Sequence, residues 1–246
     1  MFREYFIKKQ KELLRKPKTT TKTVAKKGAA GSKSKSAKST TPASYDLKHF
    51  QKLMEGLLPQ NLVMEKALPI DASGYVPENL DYIIYYNKWP SIQDIMGGYV
   101  PAELIYATCH VEKKLTKTSV DNILNKVVLA KKLNRFTEDM SQAYMIPSLV
   151  VVYESTVALP DIKKSVVDYY MDKSIDSLLE FDVMLIVNKG IVIKDWREKR
   201  KFVALETGKD SLMWFFVLMN EYLEIDEQRE VDLRNYIHQK ERYEEY

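Results

Sequence analysis

Two stretches limit the possible folds more than any other: PSLVVVY at 147–153 and FDVMLIVNKG at 181–190. Each has the length of a strand and is almost continuously apolar. A strand with one wet face alternates, whereas a continuous apolar run is buried on both faces. A sheet built around such strands needs helices on both sides. Helical spacing supplies them. Leu47, Phe50, Leu53, Met54, Leu57 and Leu58 share a stripe over 46–58, ended by Pro59. Thr118, Ser119 and Asp121 mark the start of a helix that runs to about Arg135. Residues 160–180 form a helix or helix pair, and SLMWFFVLMNEYL at 211–223 is a strongly apolar helix that must be packed. The remaining strands are 62–70, 80–86, 104–112, 191–196 and 201–206. The turn Asn188-Lys189-Gly190 folds 191–196 back as a hairpin. The order predicts an α/β fold, a mixed central sheet flanked by helices. The helical crossover after the third strand implies parallel pairing with the fourth.

Charge divides the chain. Residues 1–43 carry 13 Lys/Arg and 2 Asp/Glu, whereas the other 203 carry 25 basic and 32 acidic side chains, a net of −7. Residues 1–15 read as an N-terminal amphipathic helix, with Phe2, Tyr5, Phe6, Leu13 and Leu14 as its apolar members. Alone it would be marginal, so it needs a partner: its own body, another subunit or a membrane surface. Residues 16–43 are low in complexity and lack large apolar side chains, the composition of a flexible basic linker. Such a lysine tract attracts DNA or RNA without reading sequence, or serves as a spacer. The domain proper spans 44–223, and 224–246 form an acidic, tyrosine-rich tail or helix. Cys109 is the single cysteine, which excludes an internal disulfide and fits a reducing, cytoplasmic setting. No apolar run approaches the roughly 20 residues of a membrane span. CxxC pairs, HExxH and dinucleotide fingerprints are absent from the sequence.

Chemistry concentrates around two strands. Asp81 opens the strand at 80–86, while His110, Glu112 and Lys114 share one face of the third strand by period two. If these strands are neighbours, Asp81 and Glu112 can hold a divalent cation between two carboxylates. Such an ion acidifies water and polarises a phosphodiester oxygen. Lys114 would orient that water or offset developing charge. His110 would act as base, metal ligand or phosphate contact. The structural alternative is the wet face of an edge strand, with Asp81 merely capping a turn.

LDYIIYY (80–86) with VPAELIYATCHVEKKLTKTSVDNILNKVVLAKKL (100–133) resembles a family of uncharacterised bacterial and phage proteins that looks like a branch of the PD-(D/E)XK nuclease fold. LLPQNLVMEKALPID (57–71), FDVMLIVNKGIVI (181–193) and FVALETGKDSLMWFFVLMNEYL (202–223) resemble its first helix and strand, closing strands and last helix. The resemblance implies a restriction-endonuclease-like sheet, Asp81 as the first motif carboxylate and Mg²⁺ or Mn²⁺ as the cofactor of an active member. The second motif is altered. Anchored on Leu115-Thr116-Lys117, its glutamate becomes His110 and its lysine becomes Glu112, which would damage the site. A slip of two residues keeps the strand face and restores Glu112-Lys113-Lys114.

Other residues have plainer expectations. Glu65 is a surface or outer carboxylate, and His49 lies on a helix surface. Lys126 and Lys131 face water rather than phosphate. Cys109 is a packed thiol, and Asp210 caps the last helix after Thr207-Gly208. Two functions compete on these grounds. One is a nuclease-fold protein engaging DNA or RNA, with a degenerate catalytic site. The other is a silent assembly module that self-associates or binds a partner protein through its N-terminal arm.

Overall fold

The computed structural model describes residues 1–15, 47–87, 89, 92–135, 145–198 and 201–223. The basic stretch 16–43 and the tail 224–246 lie outside these described residues. Among the described residues nine strands form: β1 (Leu62–Glu65), β2 (Leu68–Ile70), β3 (Tyr82–Tyr86), β4 (Tyr99–Pro101), β5 (Ile105–Leu115), β6 (Ser148–Ser155), β7 (Val183–Ile186), β8 (Gly190–Asp195) and β9 (Lys201–Leu205). Six α-helices accompany them: α1 (Phe2–Leu13), α2 (Leu47–Glu55), α3 (Ile92–Ile95), α4 (Val120–Lys131), α5 (Leu159–Asp172) and α6 (Ser211–Tyr222). Seven strands make one mixed sheet in the order β1-β3-β5-β6-β7-β8-β9. The two continuously apolar runs become β6 and β7 near its centre, and β6 pairs in parallel with both β5 and β7. The expected neighbours β3 and β5 pair antiparallel, with Tyr82 opposite Cys109.

Alternation along the strands sorts side chains into two layers. Cys109, Val111, Leu149 and Val151 pack with Phe6, Phe50, Met54, Phe215 and Met219 beneath α1, α2 and α6. Val150, Val152, Met184 and Ile186 face the opposite way, against Ile123, Val127, Ile162 and Val166 of α4 and α5. Cys109 is therefore a buried, packed thiol, and burial pushes its pKa upward.

Three local expectations change. The strand expected over 62–70 divides: β1 joins the main sheet, and β2 pairs in parallel with β4 in a separate two-stranded sheet. Pro69 lacks the N–H that a central ladder would need, which suits it to this small ribbon. The helix in 160–180 stops at Asp172, Ser174 turns left-handed at φ 50°, and a 3-10 turn at Ser177–Leu179 follows. Asp210 precedes α6 but makes no side-chain cap. Its carboxylate instead accepts two 2.8 Å hydrogen bonds from Arg3 of α1.

That contact belongs to a docked α1. Phe6, Gln10 and Leu13 are its buried residues, whereas Phe2 and Tyr5 remain exposed. Gln10 Nε2 donates to the carbonyls of Val187 and Gly208, both at 2.7 Å, and Gln10 Oε1 accepts from Leu212 N at 3.0 Å. One amide thus satisfies three backbone groups of the body. Of the partners open to this helix, its own body takes it.

Candidate active site

Pairing Tyr82 with Cys109 sets Asp81, the residue just before β3, alongside His110, one position later on β5. The Val111 N–H donates to Asp81 Oδ2 at 3.1 Å, which fixes the carboxylate on the β5 edge. His110 and Glu112 stand opposite Val150 and Val152 of β6, on the face that α4 and α5 cover. Helix α4 then brings Lys126 over the strands. Its Nζ lies 3.4 Å from Glu112 Oε1 and 3.6 Å from Asp81 Oδ2. The three side chains stay 25–34% exposed, so the group is open to solvent.

His110 differs sharply from the sequence expectation. Its side chain is wholly buried, and neither ring nitrogen has a hydrogen-bond partner. Nδ1 lies 3.8 Å from Asp81 Oδ2, too far for a hydrogen bond. Burial pushes its pKa down to about 3, and the nearby Lys126 ammonium acts in the same direction. Both effects favour the neutral ring. A sealed imidazole cannot reach a phosphate, and that expected role is withdrawn. Lys114 extends the same face two residues beyond Glu112 and is exposed.

Lys126 is the residue that sequence reasoning assigns to water and misjudges. A signal for it exists, because helical spacing puts it between the buried positions Ile123 and Ala130, on the edge of the packed stripe. Lys131 is corrected more completely. It is buried and pairs with Asp182 at 2.6 Å, while Ser148 N and Trp196 Nε1 donate to the same carboxylate at 2.7 and 3.1 Å. Glu65 is tied down by Tyr85 Oη at 3.0 Å and Gln93 Nε2 at 2.9 Å. His49 is on the helix surface, as expected.

The donor chemistry suits a hard cation only in part. Among the described residues, no three His, Cys, Asp or Glu side chains gather into a metal-binding group. The two carboxylates do share one positive charge, that of Lys126. An ammonium between two carboxylates stands where a divalent ion would be attracted, with waters completing its shell. Asp81 and Glu112 thus offer two carboxylate donors that a hard cation such as Mg²⁺ or Mn²⁺ could take.

The sheet order and its flanking helices give a mixed α/β fold of the restriction-endonuclease-like kind. Solved structures of NucC share it. The cAAA-bound form from P. aeruginosa ATCC27853 superposes with a TM-score of 0.60 at 15% identity, covering 77% of this chain and 82% of that one. The E. coli MS115-1 protein gives 0.59 at 16% identity in its cAAA-bound form, covering 77% and 81%. Its apo form gives 0.60 at 18%, covering 77% and 87%. No family model and no curated protein matches the chain.

Proposed function

We propose that this protein is a metal-dependent nuclease whose site is built from Asp81, Glu112 and Lys114. The observation that carries the reading is the convergence of Asp81, just before β3, and Glu112, on the adjacent β5, on one ammonium within 3.6 Å. It favours the reading in which Glu112-Lys113-Lys114 is the working motif. His110 has the wrong surroundings for a motif residue that must meet a solvated ion. Bound Mg²⁺ or Mn²⁺ would supply an acidified water and a polarised phosphodiester oxygen. Asp81, held by the Val111 amide, and Glu112 bind and orient that ion. Lys114, exposed on the same face, meets the scissile phosphate and offsets its growing negative charge. His110 closes the floor behind Asp81 and keeps water from that side. The lysines of 16–43 would bring nucleic acid to the body by charge alone.

The test is cleavage of single- and double-stranded DNA and RNA with Mg²⁺ or Mn²⁺, beside Asp81→Asn and Glu112→Gln proteins. Because two of the similar structures hold cAAA, each reaction is run with and without it. Metal-dependent cleavage that both substitutions abolish supports the reading. A folded protein that cuts no substrate under any condition overturns it.

A second reading, the assembly module, has one observation in its favour. Helix α6 is apolar around its circumference over Leu212–Met219, leaving Trp214 44% and Val217 36% exposed. Light scattering of the full chain beside Trp214→Ser/Val217→Ser tests this: equal monomeric masses sink it.

A further inference from the structure

We infer that Lys126 is a tethered occupant of the metal seat, so that a divalent cation enters only by displacing its ammonium. The inference rests on the reading of Asp81 and Glu112 as the metal-binding pair. Three features carry it. Lys126 Nζ touches both carboxylates at once, at 3.4 and 3.6 Å, rather than pairing with one. Its backbone is fixed, since α4 packs through Val120, Ile123, Leu124, Val127 and Val128, so the ammonium has a defined reach. Asp81 is held in place as well, because its Oδ2 accepts the Val111 N–H at 3.1 Å.

The consequence is a site that carries its own counter-ion when metal-free. Two carboxylates held close would otherwise repel each other, and the ammonium relieves this. A divalent ion doubles the positive charge but must release the lysine, whose seat is open enough to solvent for the side chain to swing out. Apparent metal affinity is lowered by the stability of the two lysine ion pairs. Anything that draws Lys126 away, such as a phosphate backbone laid along α4, would raise it.

The experiment is direct Mn²⁺ binding, by calorimetry and by electron paramagnetic resonance, on the full-length protein. Wild type is compared with Lys126→Met, which keeps the aliphatic stem, with Lys126→Gln, and with Asp81→Asn. Circular dichroism verifies folding. Removing two partly exposed ion pairs should tighten Mn²⁺ binding about tenfold in both lysine variants. Asp81→Asn should abolish it. Binding by the lysine variants alone, with none by wild type, would support the inference in its strongest form. Asp81-dependent binding that is equal or weaker in both lysine variants would overturn the role of Lys126 and leave the metal site standing. Absence of Asp81-dependent binding in every protein would overturn both.

Discussion

His110 is an imidazole held in a place that disfavours its charge, and this couples the stability of the fold to pH. Its folded pKa is pushed down to about 3, from an ordinary value of 6.5. Between those values the unfolded chain binds a proton that the folded chain refuses, so stability rises with pH through that window and is fully present above it. The groups facing it are Asp81 and Lys126, and only burial and the lysine set the direction. Metal-free wild type should lose several kcal/mol of unfolding free energy between pH 7 and pH 4. A His110→Phe protein should show a flatter profile in urea titrations across that range. Equal slopes would mean that the ring is reached by solvent. Sequence alone places His110 on the correct face, because period two is rigid in a strand. It cannot show the depth of burial, because that depends on α4 and α5 closing over β5. Lys126 is misjudged for the same reason. A lysine on the edge of an apolar stripe reads as solvent-facing until the strand beneath it is known to carry two acids.

At the scale of elements, α1 shows how much one polar side chain can fix. Its apolar residues suggest docking, yet Phe2 and Tyr5 stay exposed, and beside Phe6, Leu13 and the Arg3–Asp210 pair a buried contact is made by Gln10. No periodicity marks a glutamine as buried, since its role depends on three backbone groups supplied by 187, 208 and 212. Replacing Gln10 by Leu would retain apolar volume while leaving those groups unsatisfied. We expect a loss of about 1–3 kcal/mol in denaturant unfolding, with faster hydrogen exchange at the Leu212 amide. An unchanged midpoint would show that α1 contributes little to the body. The strands are easier to read. Continuous apolar runs reveal β6 and β7, and the Asn188-Lys189-Gly190 turn predicts the β7–β8 hairpin. Gly190 is required by packing rather than by the turn, since a Cβ there would run into the Leu205 carbonyl of β9 and a Leu159 methyl of α5. The 62–70 stretch reads as one strand because the divergence of β1 and β2 is decided by β4, a partner some thirty residues away.

For the whole molecule, the docking of α1 changes how the charge division should be tested. Removing residues 1–43 would take away core side chains Phe6 and Leu13 together with the lysines, so weakened binding could simply report a damaged body. The lysine-rich segment 16–43 can be altered without touching that core. It carries eight lysines and no acidic residue, against a net of −7 over residues 44–246. If it delivers nucleic acid, its charge rather than its sequence is what matters, and affinity must fall with salt. Replacing all eight lysines by serine should leave the unfolding midpoint unchanged. It should weaken binding of a DNA duplex at low salt and flatten the plot of log affinity against log salt, by about 0.9 for each phosphate no longer neutralised. If affinity and slope match wild type, the segment is a spacer. The body, despite its negative net charge, would then hold nucleic acid through the local cations beside Asp81 and Glu112, with Lys114 the first to test.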